Sequence, residues 1–233
     1  MGCNFSSQAE AVDVPQNKQQ QHRKPQQQKP ASPITAVVYG KVSPVYKSLP
    51  SGAEKYTVRN VYDGDTLTLV DERRVRFLGI DTPELKEKQP FSEEAKEYTK
   101  KLCHKKEIYL TFDGKKQDHY GRLLAFVWVS TDGGFLCVNE GIVAEGLAFT
   151  YIPDKDSKTK NFDKLIFLQK QARAAKKGVW SQFKDYDVVV TANGAAYHKR
   201  NCQHIAKTRN LTPMKASEAT DKGLHPCRTC LAD

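Results

Sequence analysis

Residues 75–84 read VRFLGIDTPE. Val75, Phe77, Leu78 and Ile80 make the stretch strand-forming. Arg76 stands inside it, and Asp81 and Glu84 close it across Thr82 and Pro83. Both faces of this strand read as largely apolar, the pattern of a strand covered on both sides. A guanidinium buried there without an anion is costly. Arg76 therefore needs a carboxylate or a bound phosphate.

Two neighbouring motifs supply the rest of a charged constellation. YDGDT, residues 62–66, sets Asp63 and Asp65 around a tight Asp-Gly turn, facing one way. DHYGR, residues 118–122, sets Asp118, Tyr120 and Arg122 at the start of another apolar run. Converging carboxylates repel unless a positive group lies between them. A few carboxylate oxygens with water make a hard-cation site suited to Ca²⁺ or Mg²⁺. Two arginines beside such a cation are equipped to hold a phosphodiester and its pentacoordinate transition state.

The surrounding pattern is of short strands and a few helices. YTVRNVYD (56–63), TLTLV (66–70) and RRVRFLGI (73–80) are strands separated by turn signals. EIYLTF (107–112) and RLLAFVWVS (122–130) are two more, and FLCVNEGIVAEGLA (135–148) is a short strand running into a short helix. Spacing predicts a helix over 92–105, started by Ser92 with Glu94 and buried through Ala95, Tyr98 and Leu102. Another is predicted over 161–177, with Phe162, Leu165, Ile166 and Ala172 as its stripe and Gly178 as its C-cap. Closely spaced strands with few helices indicate an α+β domain built on a small barrel.

Taken together, DGDT, VRFLGIDTPE, DHYGR and the later GVW resemble the staphylococcal nuclease (thermonuclease) family in order and spacing, across about residues 55–182. The resemblance implies an OB-fold, a five-stranded barrel with three helices. It implies a Ca²⁺-dependent endonuclease that cleaves DNA and RNA to products with 3′-phosphates. By motif position, Asp65, Asp81 and the Thr82 carbonyl match the metal ligands, and Glu84 matches the residue that orients or deprotonates water. Arg76 and Arg122 match the phosphate-binding pair, while Tyr120 and Tyr151 match substrate contacts. His119 stands where the family carries lysine and Phe149 where it carries a second tyrosine. The loop after Glu84 is shorter than the family's.

The C-terminal stretch is a different unit. YHKRNCQHI (197–205) and LHPCRTC (224–230) give His198, Cys202, then Cys227 and Cys230. A CxxC turn aims two thiolates at one ion, and a second Cys/His pair completes a tetrahedral Zn²⁺ site. His198 is taken as the fourth ligand, with His204 and His225 as rivals. The pattern resembles, more loosely, the zinc module of Ada-type DNA repair proteins. A unit this short and polar needs a metal to fold. Its lysines and arginines, Lys199, Arg200, Lys207, Arg209, Lys215, Lys222 and Arg228, suit nucleic acid.

Composition bounds the remaining classes. The 233 residues carry a formal net charge of +10, which favours polyanionic partners. No apolar run approaches the ~18 residues of a membrane-spanning helix, and the N-terminus lacks the apolar core of a secretory signal. Cys103 and Cys137 stand in apolar surroundings as packed small side chains. Residues 1–50 are rich in Gln, Lys and Pro and are expected to be a disordered leader. Its first residues, MGCNFS, fit N-myristoylation at Gly2, and Cys3 is a site for palmitate. One acyl chain binds membranes only marginally, so Cys3 or the leader's basic residues would have to add to it.

The expected organisation is a leader over 1–50, an OB-fold nuclease domain over 51–183 and a Cys/His module over 187–233. The expected partners are DNA or RNA and, through acylation, a membrane, with the chain a monomer. A lipoprotein-like or soluble chain is the alternative placement. The rival function is a non-catalytic nucleic-acid-binding OB module tethered to a membrane.

Overall fold

A computed structural model of the chain describes residues 1–2, 45–152, 159–227 and 229–231. Cys3 and Arg228, named above as a lipidation site and a basic residue, lie outside them. The first strand, β1, is Val45–Tyr46. Then come β2 (Glu54–Val61), β3 (Thr66–Leu69), β4 (Arg74–Phe77) and β5 (Ile80–Asp81). Helix α1 (Ser92–Cys103) precedes β6 (Glu107–Thr111), β7 (Leu123–Thr131) and β8 (Gly134–Cys137). Helix α2 (Val138–Ala144), β9 (Phe149–Thr150) and α3 (Phe162–Ala174) complete the first part.

Strands β2, β3, β4, β7 and β6 close into a five-stranded barrel, because β6 pairs with both β2 and β7. The barrel is mixed: β4 runs parallel to β7, and the other neighbours are antiparallel. This is the OB-fold architecture, with three helices packed around the barrel. Alternation fills the core. Val75 and Phe77 of β4, Ile108 and Leu110 of β6, and Ala125 and Val127 of β7 are all buried. Cys103 and Cys137 are buried and unpaired, packed as small apolar residues.

One polar side chain is built into this core. Asn139, at the start of α2, is fully buried. Its Oδ1 accepts the Val127 N–H at 2.8 Å, and its Nδ2 donates to the carbonyls of Leu78 (2.9 Å) and Ala125 (3.3 Å). It ties α2 to β7 and to the turn that follows β4.

Several local expectations are corrected. The run 75–84 is two strands rather than one. β4 ends at Phe77, Gly79 turns at φ 76°, and Ile80–Asp81 forms a separate strand paired with β9. Strand β4 is also not apolar on both faces: Val75 and Phe77 point in, while exposed Arg74 and largely buried Arg76 share the other face. Helix α1 begins at Ser92 as expected but without a side-chain cap bond, and it ends at Cys103 rather than 105. It starts after Phe91, which sits in the left-handed region at φ 69°. On α3, Leu168 and Gln169 are buried and Ile166 only partly so. Gly178 is not the cap of α3, which ends at Ala174 and turns at Lys176, φ 52°. Instead Gly178 lies against Gly146, where an added Cβ would come within 2.2 Å of the Gly146 carbonyl oxygen.

Strand β1 falls inside the span expected as leader. It pairs with β8 through Val45↔Leu136 and Tyr46↔Phe135. Tyr46 donates its hydroxyl to the buried Glu140 at 2.7 Å, and Lys164 of α3 pairs with the same carboxylate at 2.6 Å. The Tyr46 ring packs edge-on against Trp128 with centroids 4.9 Å apart.

The C-terminal residues form a second sheet. Its strands are β10 (Asp187–Thr191), β11 (Ala196–His198), β12 (Leu211–Lys215) and β13 (His225–Pro226), with helix α4 (Ala216–Thr220) between the last two. The strand order is β12-β10-β11-β13, and β11 runs parallel to β13. Among the described residues, no helix is long and apolar enough to cross a membrane.

Candidate active-site cleft and Cys/His cluster

The charged motifs converge on one open cleft of about 750 Å³ on the barrel surface. Asp65, Arg76, Asp81, Thr82, Glu84, Tyr120 and Arg122 all line it, although they span residues 65–122. Asp63, Arg74 and Lys96 line it too. Those three were not singled out as site residues, and only Asp63 carried a signal, its place in the Asp-Gly-Asp turn.

Arg76 is the centre of the cleft. Its side chain is 13% exposed and reaches two carboxylates at once. Nη1 lies 3.1 Å from Asp65 Oδ2, and Nη2 donates to Asp81 Oδ1 at 2.6 Å. Nη1 also donates to the Phe77 and Ile80 carbonyls, at 3.1 and 2.8 Å. The anion that the sequence required is thus a pair of carboxylates. Burial opposes the guanidinium charge, but Asp65, Asp81 and Asp63 together overcome it and raise its pKa.

The turn between β2 and β3 fixes the acids. Asp63 Oδ1 accepts the Asp65 N–H at 3.1 Å. Asp65 Oδ2 accepts the Thr82 N–H at 2.8 Å and its hydroxyl at 3.0 Å, which joins this turn to the end of β5. Burial, and then the negative charge of Asp65, push the Asp63 carboxyl up to about 6. Gly64 permits the close approach. Its carbonyl accepts the Thr99 hydroxyl at 2.6 Å, and a Cβ there would lie 2.7 Å from both Ala95 Cβ and Thr82 Cγ2.

Glu84 is held through its backbone. Gln89 Oε1 accepts the Glu84 N–H at 2.7 Å, and the Gln89 N–H donates back to the Glu84 carbonyl at 3.2 Å. Gln89 is a positioning residue that no spacing rule would have singled out.

Arg122 is set by Asp118. Asp118 Oδ1 accepts the N–H groups of Tyr120 (2.9 Å) and Arg122 (3.0 Å), and Oδ2 accepts Arg122 Nε at 2.7 Å. Burial pushes the Asp118 carboxyl up, but the hydrogen bonds from Arg122 outweigh it and leave its pKa below the ordinary value. Tyr120 is 73% exposed, under the Arg122 guanidinium and against the ring of His119 at 3.7 Å.

His119 and Tyr151 are not among the residues lining the cleft. His119 stands beside it on Tyr120. Tyr151 follows β9, donates its N–H to the Gly79 carbonyl at 3.0 Å, and lies near enough to Arg76 to act on it electrostatically. Phe149 packs against Trp180, centroids 5.2 Å apart, and does not line the cleft either.

The second constellation is in the C-terminal sheet. One ligand atom each of His198, Cys202, Cys227 and Cys230 lies within 4.8 Å of the others. His198 Nδ1 is 3.4 Å from Cys202 Sγ, which is 3.9 Å from Cys227 Sγ. The rivals for the fourth place are engaged elsewhere: His204 Nε2 with the Thr229 hydroxyl at 2.8 Å, and His225 Nδ1 with the Pro226 carbonyl at 2.9 Å.

Barrel and cleft define an OB-fold domain with a carboxylate–arginine site. Comparison with known proteins gives its family. The profile described as "Staphylococcal nuclease homologue" matches residues 74–182. The thermonuclease of Staphylococcus hyicus is 35% identical over 138 residues, 55% of this chain and 76% of that protein. Endonuclease YncB of Bacillus subtilis is 36% identical over 137 residues, 54% of this chain and 61% of that protein. The SPbeta prophage-derived endonuclease YokF of Bacillus subtilis is 33% identical over 173 residues, 67% of this chain and 56% of that protein. The chain belongs to the staphylococcal nuclease family.

Gly64→Ala tests the close approach beneath the cleft. Neither Ala95 nor Thr82 can swing away, so overpacking should destabilise the protein by about 1–3 kcal/mol in urea unfolding. Wild-type stability would show that the turn has room to spare.

Proposed function

We propose that this chain is a Ca²⁺-dependent nuclease that hydrolyses DNA or RNA phosphodiesters and leaves 3′-phosphates. One observation carries the reading: Arg76 is shared by Asp65 and Asp81 in a cleft that Glu84 and Arg122 also line. Relatives named thermonuclease and endonuclease support it.

The donor set fits a hard cation, because it is all oxygen, with two carboxylates beside a backbone carbonyl on the cleft. Asp65, Asp81 and the Thr82 carbonyl would hold the ion. Bound Ca²⁺ would supply neutralisation of the acids and polarisation of a phosphoryl oxygen.

The chain's own groups do the rest. Arg76 and Arg122 bind the phosphate and the charge that spreads over its oxygens in the transition state. Asp118 holds Arg122 in its pose for that task. Glu84, fixed by Gln89, orients the attacking water and accepts its proton. Water attacks phosphorus in line, the bond to the 5′ oxygen breaks, that oxygen takes up a proton, and phosphate stays on the 3′ oxygen. Tyr120 and His119, exposed beside the cleft, offer stacking and phosphate contacts to the flanking strand, and Tyr151 offers a ring to a nucleotide.

We further read the chain as a leader, this nuclease domain and a C-terminal Cys/His module, acting as a monomer. Acylation at Gly2 and Cys3 would tether it to a membrane. Labelling with a myristate analogue should mark wild type and spare Gly2→Ala; equal labelling, or none, ends that proposal.

The nuclease reading predicts cleavage of DNA or RNA oligonucleotides with Ca²⁺ and none with EDTA. Arg76→Lys keeps a cation between Asp65 and Asp81 and so should retain the fold, yet lose about 10²–10³-fold in kcat, because lysine lacks the bidentate fork. Full cleavage in EDTA, or Arg76→Lys activity equal to wild type at saturating substrate, would contradict it.

A further inference from the structure

The C-terminal sheet is poorly provided with apolar residues. One face packs Val188, Val190, Tyr197, Ala216 and Ala219. The other face is Val189 and Ile205 with Cys202 and Cys227, and Cys230 packs against it. The cysteines are therefore part of this second cluster, and they are unpaired. Thiols without a metal would leave that face small and loose.

Donor chemistry and spacing fit one ion. A tetrahedral Zn²⁺ with bonds of about 2.3 Å to sulfur separates its thiolates by roughly 3.8 Å. Cys202 and Cys227 stand 3.9 Å apart, with His198 Nδ1 at 3.4 Å from Cys202. The backbone N–H of Lys199 donates to Cys230 Sγ at 3.3 Å, a bond suited to a ligating thiolate. The four residues come from two places in the sheet. His198 ends β11 and Cys227 follows β13, so an ion there bolts these parallel neighbours together.

Strand β13 and the turn before it reach the residues that follow β9. Gly223, just before it, accepts the Ile152 N–H at 2.9 Å, and the His225 ring lies against Tyr151, centroids 5.5 Å apart. The Thr150 hydroxyl donates to the Thr220 carbonyl at 3.1 Å. Asp221 accepts both Arg173 terminal nitrogens of α3, at 3.0 and 2.7 Å, and Gln169 Nε2 at 3.1 Å. The same Gln169 accepts the Thr150 N–H at 2.8 Å through Oε1. The contacts of Thr220, Gly223 and His225 fall on β9 or its flank, and Asp221 reaches β9 through Gln169 of α3. Among the described residues strand β9 pairs with β5 alone, and the register sets Phe149 opposite Asp81. Besides the Arg76 ion pair, Asp81 is thus supported by a two-residue strand that contacts of the C-terminal residues hold in turn.

We propose that His198, Cys202, Cys227 and Cys230 bind a structural Zn²⁺, and that the metal-ordered sheet braces β9 and so fixes Asp81 in the cleft. Binding deprotonates the three thiols and releases their protons to solvent. Asp221 is the linking residue between the sheet and α3. The inference concerns metal and strand order, so it stands or falls separately from the nuclease reading.

The test uses the full chain in two measurements. Metal analysis should find about one Zn²⁺ per chain, and Co²⁺ exchanged into it should give the visible absorption of a tetrahedral thiolate site. Cys227→Ser/Cys230→Ser should lose both. Hydrogen exchange then reads the brace. Stripping zinc from wild type with a mercurial, and restoring it after removing the mercurial with excess thiol, should reversibly speed exchange at Tyr151 and Ile152 by ~10-fold or more, while β3 and β4 stay protected. Asp221→Ala should speed the same amides with zinc still bound. A chain that binds no zinc, or that closes a Cys202–Cys227 disulfide instead, overturns the site. Zinc-independent protection at Tyr151 and Ile152 overturns the brace.

Discussion

One guanidinium organises this molecule. Arg76 projects from the outer face of β4 and bonds to the Asp63–Asp65 turn on one side and to the end of β5 on the other. Removing either carboxylate would leave a largely buried cation short of a partner, and removing the cation would leave Asp65 and Asp81 facing each other. The ion pair is therefore a structural constraint before it is a chemical device. It explains how a two-residue strand such as β5 can be held in place at all. It also explains why four acids can share one cleft. A divalent cation on the same carboxylates would take over part of that charge and release guanidinium donors for phosphate.

Support for the cleft comes in layers. Gly64 lets the acidic turn lie against α1 and Thr82, Asn139 ties α2 to the turn before β5, and Gln89 and Asp118 hold Glu84 and Arg122. Behind β9 stands the C-terminal sheet, joined through Asp221 and Gly223. Catalytic geometry in such a site tolerates little displacement. The side chains that supply the tolerance are mostly not the ones that would touch substrate.

Much of the site was legible because charge inside an apolar run demands an explanation. Arg76, the acids at the ends of short runs and the CxxC pair each imply chemistry from residue type and spacing. The barrel strands followed from β-rich runs separated by turn signals, as in β3 and β6, whereas the alternation of β4 is visible only in the structure. What escaped was short or distant. Strand β1 is two residues with no period to detect, and β5 was fused to β4 because Gly79 is a single-residue break. Arg74 and Lys96 look like ordinary surface cations until the fold brings them to the cleft. Arg173 and Asp221 are 48 residues apart, and nothing local marks them as partners. Lys105 and Lys176 adopt left-handed backbone that sequence would assign to glycine, so the C-terminal ends of α1 and α3 fall short of the expected 105 and 177.

The central claim is that the carboxylates around Arg76 form a divalent-cation site. It is tested most directly by following arginine side-chain Nε–H resonances during a calcium titration of the full chain. The account predicts that the Arg76 signal moves and saturates with a single binding curve, while Arg59 and Arg73, paired with acids on the exposed surface, stay still. An Arg76 resonance indifferent to saturating calcium would contradict it.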